Sequence, residues 1–475
     1  MIRRIVTFPA ITVVLLLASQ LFAADVQKPN FILFNVDDLG YADVGAFGSK
    51  LNRTPNVDRL AAEGMKLTCF YGAPVCSPSR AAMMTGCYPK RVGIPQVLFP
   101  GQATGIHADE ATLAESLKAE GYATICIGKW HLGDQPEFMP TRHGFDQYFG
   151  LPYSNDMGPV ADGARAGIGA PKAKNLQNSK RTEHPPIPLL RGEKFVERVH
   201  AAQQEQLVAL YTAEAVKFIE ASKAKPFFVY LPHTGVHVPL YPGPNFKGKS
   251  PHGAYSDWVE EVDWSLGQIM AAVRAAGIAD RTVIVFTSDN GGTPRAVNAP
   301  LRGFKGSTLE GGMREPTVVS WPGKIPAGSS CDAVTSNMDL LPTFTKLASG
   351  GGIRPRKTID GHDIWPLLSA ATKETPYKAF YYFQANKLNA VRSGPWKLEL
   401  ASGRLYNLEQ DIGEATDVAA GNREIVKRLQ EFVEKAKADL GTDGAGPGCR
   451  QAGRVADPKP IIDHAGNVRA EFAVK

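Results

Sequence analysis

The chain has 475 residues, 43% of them hydrophobic, and a formal net charge of +6. This is an ordinary globular composition, long enough for one large domain with a smaller appendage or for two to three ordinary domains. So small a charge, part of it from Arg3 and Arg4, leaves no nucleic-acid footprint, although a mildly basic surface favours anionic substrates.

Residues 1 to about 24 begin with those two arginines, run through ITVVLLLASQLFA and end in small residues, the layout of a cleaved secretory signal peptide. The apolar run is short for a membrane span and no second span follows, so an exported protein, periplasmic or secreted, is expected, with no stable membrane association after cleavage. An uncleaved anchor is the alternative. Cysteines usually pair in an oxidising compartment, yet Cys69, Cys76, Cys87, Cys126, Cys331 and Cys449 are too sparse for a disulfide scaffold. If Cys76 has another fate, the odd remainder leaves at least one free thiol.

Five apolar runs read as buried strands: FILFNV (31–36), ATICIG (123–128), PFFVYL (226–231), TVIVFTS (282–288) and TVVSW (317–321). They alternate with helical patterns at 54–64, 112–121, 206–222 and 256–277, so the order predicts an α/β layered domain around a largely parallel sheet. Sites in such sheets lie beyond the carboxyl ends of the strands. Polar residues stand there: Asp37 and Asp38 after the first run, Lys129 and His131 after the second, His233 and His237 after the third, Asp289 and Asn290 after the fourth. One shared pocket is expected. From about 160 to 200 the pattern breaks into an excursion rich in Gly, Pro, Lys and Arg, expected to be an irregular loop over the site, with Arg165 to Lys194 forming part of a rim for an anionic substrate. A second shift near 369–377 precedes strand-like AFYYFQ, NAVRSGPWKLEL and GRLYNL and the amphipathic NREIVKRLQEFVEKAKADL. The expected divisions are a signal peptide at 1–24, a main domain at 25–372 and a C-terminal subdomain at 373–475.

Asp37-Asp38 and Asp289-Asn290 each close a strand and face a glycine-containing turn, which puts hard oxygen donors on loops held by a rigid sheet. Such donors suit calcium or magnesium rather than zinc. One pair alone reads as a cap for a helix or turn; two pairs at equivalent strand ends favour the cation. Residues 76–80 read CSPSR, a loop-like stretch. A nucleophilic cysteine needs a lowered pKa, which Arg80 would help to supply, but a thiolate matches a hard, oxygen-liganded cation poorly. An aldehyde at that position removes the mismatch, because its hydrate offers two hydroxyl oxygens, one of which can attack.

CSPSR, followed by TG at 85–86, resembles the formylglycine signature C-x-P-x-R of type I sulfatases, and GKWHLG at 128–133 resembles that family's second signature. The order Asp37-Asp38, CSPSR, GKWHLG, YSND, HVP, SDNGG, FKGST covers nearly the whole mature chain, and YSND is closest to the arylsulfatase A-like branch. The resemblance implies the alkaline-phosphatase superfamily fold, an α/β/α sandwich with a large, mostly parallel sheet and a small C-terminal α+β subdomain with an antiparallel sheet. It implies a sulfuric ester hydrolase in which Cys76 becomes 3-oxoalanine (formylglycine), and one Ca2+ held by Asp37, Asp38, Asp289, Asn290 and the modified Cys76. Arg80 would bind the hydrate, while Lys129 and Lys305 would clamp the sulfate oxygens. His131 would take the proton of the second hydroxyl, so that sulfate is eliminated and the aldehyde regenerated. His237 would protonate the leaving alkoxide, and Ser154 would lie near the sulfate. The implied partners are a sulfated small-molecule or glycan substrate and, during maturation, a formylglycine-generating enzyme that reads CSPSR.

Phe304 departs from the many relatives with glycine before the lysine, and is expected to narrow the pocket. His233 is expected to be structural. Asp257, Glu260, Glu261 and Asp263, at helical spacing with Trp258 and Trp264, read as a solvated helix face. His107, His362 and Asp339 receive no chemistry, and Asn52-Arg53-Thr54 is a glycosylation-type triplet. A phosphodiesterase or phosphonate monoester hydrolase of the same superfamily is the alternative activity. A catalytically dead carbohydrate-binding relative is disfavoured, because no member of the implied set is missing.

Overall fold

In the first strand Phe31 and Leu33 belong to one hydrophobic core, and Ile32, Phe34 and Val36 to another. Side chains along a strand alternate between faces, so a strand apolar throughout requires a sheet covered on both sides. The computed structural model describes residues 28–164, 183–351 and 357–474, so the expected signal peptide and residues 165–182 of the basic stretch lie outside the described residues.

In chain order the strands are β1 (Asn30–Val36), β2 (Met65–Tyr71), β3 (Thr104–Gly105), β4 (Ala123–Ile127), β5 (Gln147–Gly150), β6 (Pro188–Arg191), β7 (Lys194–Arg198), β8 (Phe227–Pro232) and β9 (Thr282–Ser288). They continue as β10 (Arg314–Ser320), β11 (Ser329–Cys331), β12 (Thr335–Ser336), β13 (Phe380–Gln384), β14 (Lys387–Ser393), β15 (Trp396–Glu399), β16 (Leu405–Asn407) and β17 (Gly453–Arg454). The large sheet has the order β11-β2-β10-β9-β1-β8-β4-β5-β6-β7, with β12 also on β2. Its middle is parallel: β1 pairs with β8 and β9, and β4 with β8 and β5. The run TVVSW, counted with the parallel strands, falls in β10, which lies antiparallel between β9 and β2. That reversal turns β2 into the direction of β9. The carboxyl ends of β1, β2, β4, β5, β8 and β9 therefore share one edge.

The helices are α1 (Pro55–Ala62), α2 (Cys76–Thr85), α3 (Leu113–Ala119), α4 (Ala201–Gln204), α5 (Leu207–Ser222), α6 (Ala254–Ala275), α7 (Glu310–Met313), α8 (Leu340–Ser349), α9 (Trp365–Leu368) and α10 (Arg423–Asp439). α1, α5 and α6 pack on the face carrying Ile32 and Phe34, while α2, α3 and α8 pack on the face carrying Phe31 and Leu33, which completes an α/β/α sandwich. A separate antiparallel sheet, β13-β14-β15-β16, packs on α10 through Val391, Leu398, Leu405 and Leu429. The tail returns to the main body, where β17 pairs with β3.

Two expectations need correction. The excursion at 160–200 is not irregular throughout: β6 and β7 form an antiparallel hairpin that extends the large sheet beyond β5. The acidic residues of α6 are not a solvated face, because Asp257, Glu261 and Asp263 are buried. Asp257 accepts from the backbone N–H groups of Gly248, Lys249 and Ser250 at 2.7, 3.0 and 2.6 Å. Asp263 accepts from Asn56 and Val57, in the first turn of α1, at 3.0 and 2.8 Å. Glu261 accepts from Gly243 at 2.7 Å. These carboxylates tie the 243–250 stretch and the start of α1 to the helix by accepting from their backbone N–H groups.

Burial pushes the Glu261 carboxyl up to about 7. Its folded pKa stands above the unfolded value, so the folded state holds the extra proton and stability falls as pH rises through the interval between them. Glu261→Gln keeps an oxygen acceptor and removes the ionisation. It is expected to melt above the wild type at about pH 8, with a difference that shrinks toward about pH 5; equal melting temperatures at the higher pH would contradict this account of the buried carboxyl.

Candidate active site

The shared edge collects the polar residues. Asp37 and Asp38 follow β1, Lys129 and His131 follow β4, Ser154 follows β5, His237 follows β8, and Asp289 and Asn290 follow β9. Lys305 lies in the connection that leaves β9 and re-enters the antiparallel β10 at the same edge. Gly128, at φ 125°, brings the end of β4 against Pro232 of β8, where an added Cβ would collide with the Pro232 carbonyl. That close approach lets the Lys129 N–H donate to Pro232 O at 2.8 Å. Asp38 and His131 hold left-handed backbone, φ 64° and 62°, a strain that persists only where surrounding structure imposes it.

CSPSR is the first turn of a helix, not a loop. β2 delivers the chain to the edge, Val75 stays extended, and Cys76 is the first residue of α2. Pro78 is tolerated because N–H groups of a first turn have no intrahelical acceptor. All ten residues of α2 are buried, so no amphipathic period marks it. Cys76 Sγ lies 3.6 Å from Asp37 Oδ1 and 3.3 Å from Lys305 Nζ. Burial pushes the thiol up to about 12, against the pull of Lys129 and Lys305. This upward shift is the opposite of the lowered pKa that a nucleophilic thiolate would need.

Around it, carboxylates and cations alternate. Arg80 donates to Asp289 Oδ2 from Nε and Nη2 at 3.0 and 2.8 Å, to the Lys129 carbonyl at 2.6 Å, and stands 3.4 Å from Asp37 Oδ2. Lys129 Nζ reaches Asp37 Oδ2 at 2.5 Å and Ser154 Oγ at 3.2 Å. Lys305 Nζ is 2.6 Å from Asp38 Oδ1. Burial raises the pKa values of Asp37 and Asp38, but their neighbours outweigh it and hold both below the ordinary value: Lys129, His237 and Arg80 for Asp37, Lys305 and His237 for Asp38. The Arg80, Lys129, Asp37 and Asp289 side chains are buried, whereas Lys305 is 18% and His237 9% exposed, which marks the open side.

The donor set fits a hard cation. One ligand atom from each of Asp37, Asp38, Cys76 and His237 lies within 4.8 Å of all the others. Asp38 Oδ2 and Asn290 Oδ1 are buried and have no hydrogen-bond partner among the described residues. Unpaired oxygen acceptors beside carboxylates are what an oxygen-liganded metal needs. His237 Nε2 borders this group, 3.7 Å from Asp38 Oδ2, although the sequence reading put no histidine there.

His131 donates from Nε2 to the Leu98 carbonyl, 2.9 Å away, and its Nδ1 is buried without a partner among the described residues. Burial first, then Lys129 and Arg80, hold it well below the ordinary histidine range. A neutral ring with Nε2–H on Leu98 O leaves a lone pair on Nδ1. His233 is turned away, its Nε2 3.1 Å from Ser265 Oγ and its ring against Phe34, as expected of a structural residue. Phe304, beside Lys305, is 43% exposed.

Two neighbours escaped the sequence reading. Asp156 of YSND is buried, and although burial raises its carboxyl, His237 and the Ser154 hydroxyl hold it below the ordinary value; its place two residues after Ser154 was the available signal. Glu315 is buried with neither oxygen paired among the described residues, and burial pushes it well up, with Asp289 and Asp38 adding to the shift. Nothing in the strand-like run around it distinguishes it. For the ion cluster, Arg80→Ala would leave Asp289 and Asp37 short of their buried cation, and a loss of about 3–5 kcal/mol is expected by denaturant unfolding. Arg80→Leu combined with Asp289→Asn is expected to recover part of it; an unperturbed Arg80→Ala would contradict the coupling.

A family model described as Sulfatase matches residues 29–351, and one described as N-sulphoglucosamine sulphohydrolase, C-terminal, matches residues 305–439. The chain is 39% identical to arylsulfatase A of Bos taurus over 402 residues, which covers 81% of this chain and 77% of that one. It is 39% identical to N-acetylgalactosamine-6-sulfatase of Sus scrofa over 398 residues, 78% of this chain and 71% of that one. Among solved structures, Ps i-CgsB in complex with k-i-k-neocarrahexaose superposes with a TM-score of 0.73 at 34% identity, covering 86% of this chain and 92% of the other. A sulfatase match over most of the chain, together with relatives named as arylsulfatase, N-acetylgalactosamine-6-sulfatase and steryl-sulfatase, makes this protein a member of the sulfatase family, with the alkaline-phosphatase-like fold and the sulfate-ester hydrolase activity of that family.

Proposed function

We propose that the protein is an exported enzyme that cleaves sulfate esters of a sulfated carbohydrate, using residue 76 as formylglycine and one calcium ion. The observation that carries this reading is the setting of Cys76: the first residue of a buried helix, 3.3 Å from Lys305 Nζ and 3.6 Å from an aspartate oxygen, beside unpaired oxygens of Asp38 and Asn290. A helix N-terminus presents free N–H groups and a favourable dipole to an anion. As a hydrated aldehyde, residue 76 supplies one hydroxyl to attack sulfur and a second to expel sulfate afterwards. Asp37, Asp38, Asp289, Asn290 and residue 76 would hold calcium, which would supply Lewis-acid polarisation of the ester.

The chain's own side chains then have distinct tasks. Lys129 and Lys305 hold sulfate oxygens as point charges, with Ser154 beside Lys129. Arg80 binds at residue 76 while its double bond to Asp289 keeps that carboxylate in place. His237 commits Nδ1 to the Val238 carbonyl at 2.6 Å, so Nε2 faces the site and delivers a proton to the leaving oxygen. His131 receives a proton at Nδ1, the nitrogen that has no other partner among the described residues. Maturation by a formylglycine-generating enzyme that reads CSPSR, and export, belong to the same reading. No helix among the described residues is long and apolar enough to cross a membrane.

Support for a glycan substrate comes from the relatives named for N-acetylgalactosamine 6-sulfate and from the neighbour solved with a neocarrahexaose. Exposed Phe304, next to Lys305, would contribute to recognition at the rim. The test is relative turnover of an aryl sulfate and an aryl phosphodiester, followed by a panel of sulfated mono- and disaccharides. Faster sulfate cleavage, lost on demonstrated metal removal and restored by calcium, is expected. Preference for the phosphodiester would favour the phosphodiesterase or phosphonate hydrolase alternative, and full turnover without metal would overturn the calcium site.

A further inference from the structure

The loop that carries Lys305 is anchored at alternate residues, 306, 308 and 310, by the small C-terminal sheet and by Glu414 just after it. Gln384, the last residue of β13, donates from Nε2 to the Gly306 carbonyl at 2.5 Å. Asn389 of β14 donates to Gln384 Oε1 at 3.1 Å and to Thr308 Oγ1 at 3.3 Å, so it orients the glutamine amide while holding the loop itself. Lys397 of β15 donates to the Thr308 carbonyl at 2.9 Å and pairs with Glu310 at 3.0 Å. Tyr382 of β13 donates to Glu310 Oε1 at 2.9 Å, and Glu414 accepts from the Glu310 N–H at 2.9 Å. On the other side the main body contributes two backbone bonds, Lys305 N to Gly292 O at 3.0 Å and Gly306 N to Pro74 O at 2.7 Å.

From this arrangement we infer that Gln384 and Asn389 are positioning residues for Lys305, through which the small sheet sets the charge at the transferring group. The inference rests on the proposed role of Lys305. The chemical logic is geometric. Lys305 Nζ stands 3.3 Å from Cys76 Sγ on a flexible stem that is 18% exposed, and Gly306 holds a left-handed φ of 86°. Burial does not immobilise such a side chain, so its backbone must be fixed for a preorganised charge to act. The residues that do this belong to a different sheet and sit about eighty positions further along the chain. Gln384 is exposed and Asn389 half-buried, so neither is needed to fill a core.

The test measures kcat, KM and melting temperature on a small aryl sulfate for the full-length protein, Gln384→Ala, Asn389→Ala, Lys305→Ala and the double variant Lys305→Ala/Gln384→Ala. Gln384→Ala is expected to lower kcat roughly tenfold, the size of one lost hydrogen bond felt only in the transition state, with KM and melting temperature unchanged. Asn389→Ala should act in the same direction. In the Lys305→Ala background Gln384→Ala should add nothing, because the charge it positions is gone. If activity of Lys305→Ala lies below detection, calorimetric binding of inorganic sulfate carries the same cycle. A change in KM alone, an equal further loss in the Lys305→Ala background, or no loss for either amide variant would overturn the inference. Full activity of Lys305→Ala would instead overturn the role assigned to the lysine.

Discussion

Everything at this site depends on placing three carboxylates, Asp37, Asp38 and Asp289, in a buried cluster beside matching cations. Moving a charge out of water is repaid only by close opposite charges with good geometry. Arg80, Lys129 and Lys305 provide them at 2.8, 2.5 and 2.6 Å. The balance is local: each carboxylate has its own cation, and Arg80 also approaches Asp37. A site built this way presents oxygen ligands and cationic clamps side by side without unpaired charge. It suits a reaction in which negative charge shifts during transfer of an anionic group.

Topology supplies the geometry. Five parallel strands end at one edge, and antiparallel β10 turns β2 to end there as well, which starts α2 with Cys76 among the aspartates. The same reversal makes the connection from β9 to β10 begin and finish at that edge, which is why Lys305 reaches Cys76. The tight contact of Gly128 with Pro232 and the left-handed Asp38 and His131 are the local adjustments that aim the side chains. The small sheet is tied into this edge from behind through Glu310, which meets Tyr71, Tyr382 and Lys397 in a fully buried network.

Much of this was legible in the residues. The strand ends were readable because fully buried strands are short apolar runs, and the polar pairs after them, Asp37-Asp38 and Asp289-Asn290, had to lie at one edge once the sheet was taken as parallel. α2 was not readable as a helix: Pro, Ser and Cys are poor helix signals, and a helix buried all round has no polar stripe to reveal its period. The buried carboxylates of α6 were misplaced for a related reason. Acidic residues at helical spacing look solvated unless it is known which loops bring their N–H groups to meet them, and those loops, at 243 and 248–250, are distant in pattern. Glu315 and Gln384 carry no local signal, since their importance arises from contacts between elements far apart in sequence.

The central claim is that residue 76 works as an oxygen nucleophile able to expel sulfate, not as a cysteine. The decisive measurement is peptide mass spectrometry of active enzyme from a host able to convert it, beside Cys76→Ser treated with an aryl sulfate. The account predicts an aldehyde at position 76 in the active protein. In Cys76→Ser it predicts a single stable sulfated adduct without sustained release, because serine lacks the second hydroxyl. Full activity with an unmodified thiol at Cys76, or repeated turnover by the serine variant, would contradict it.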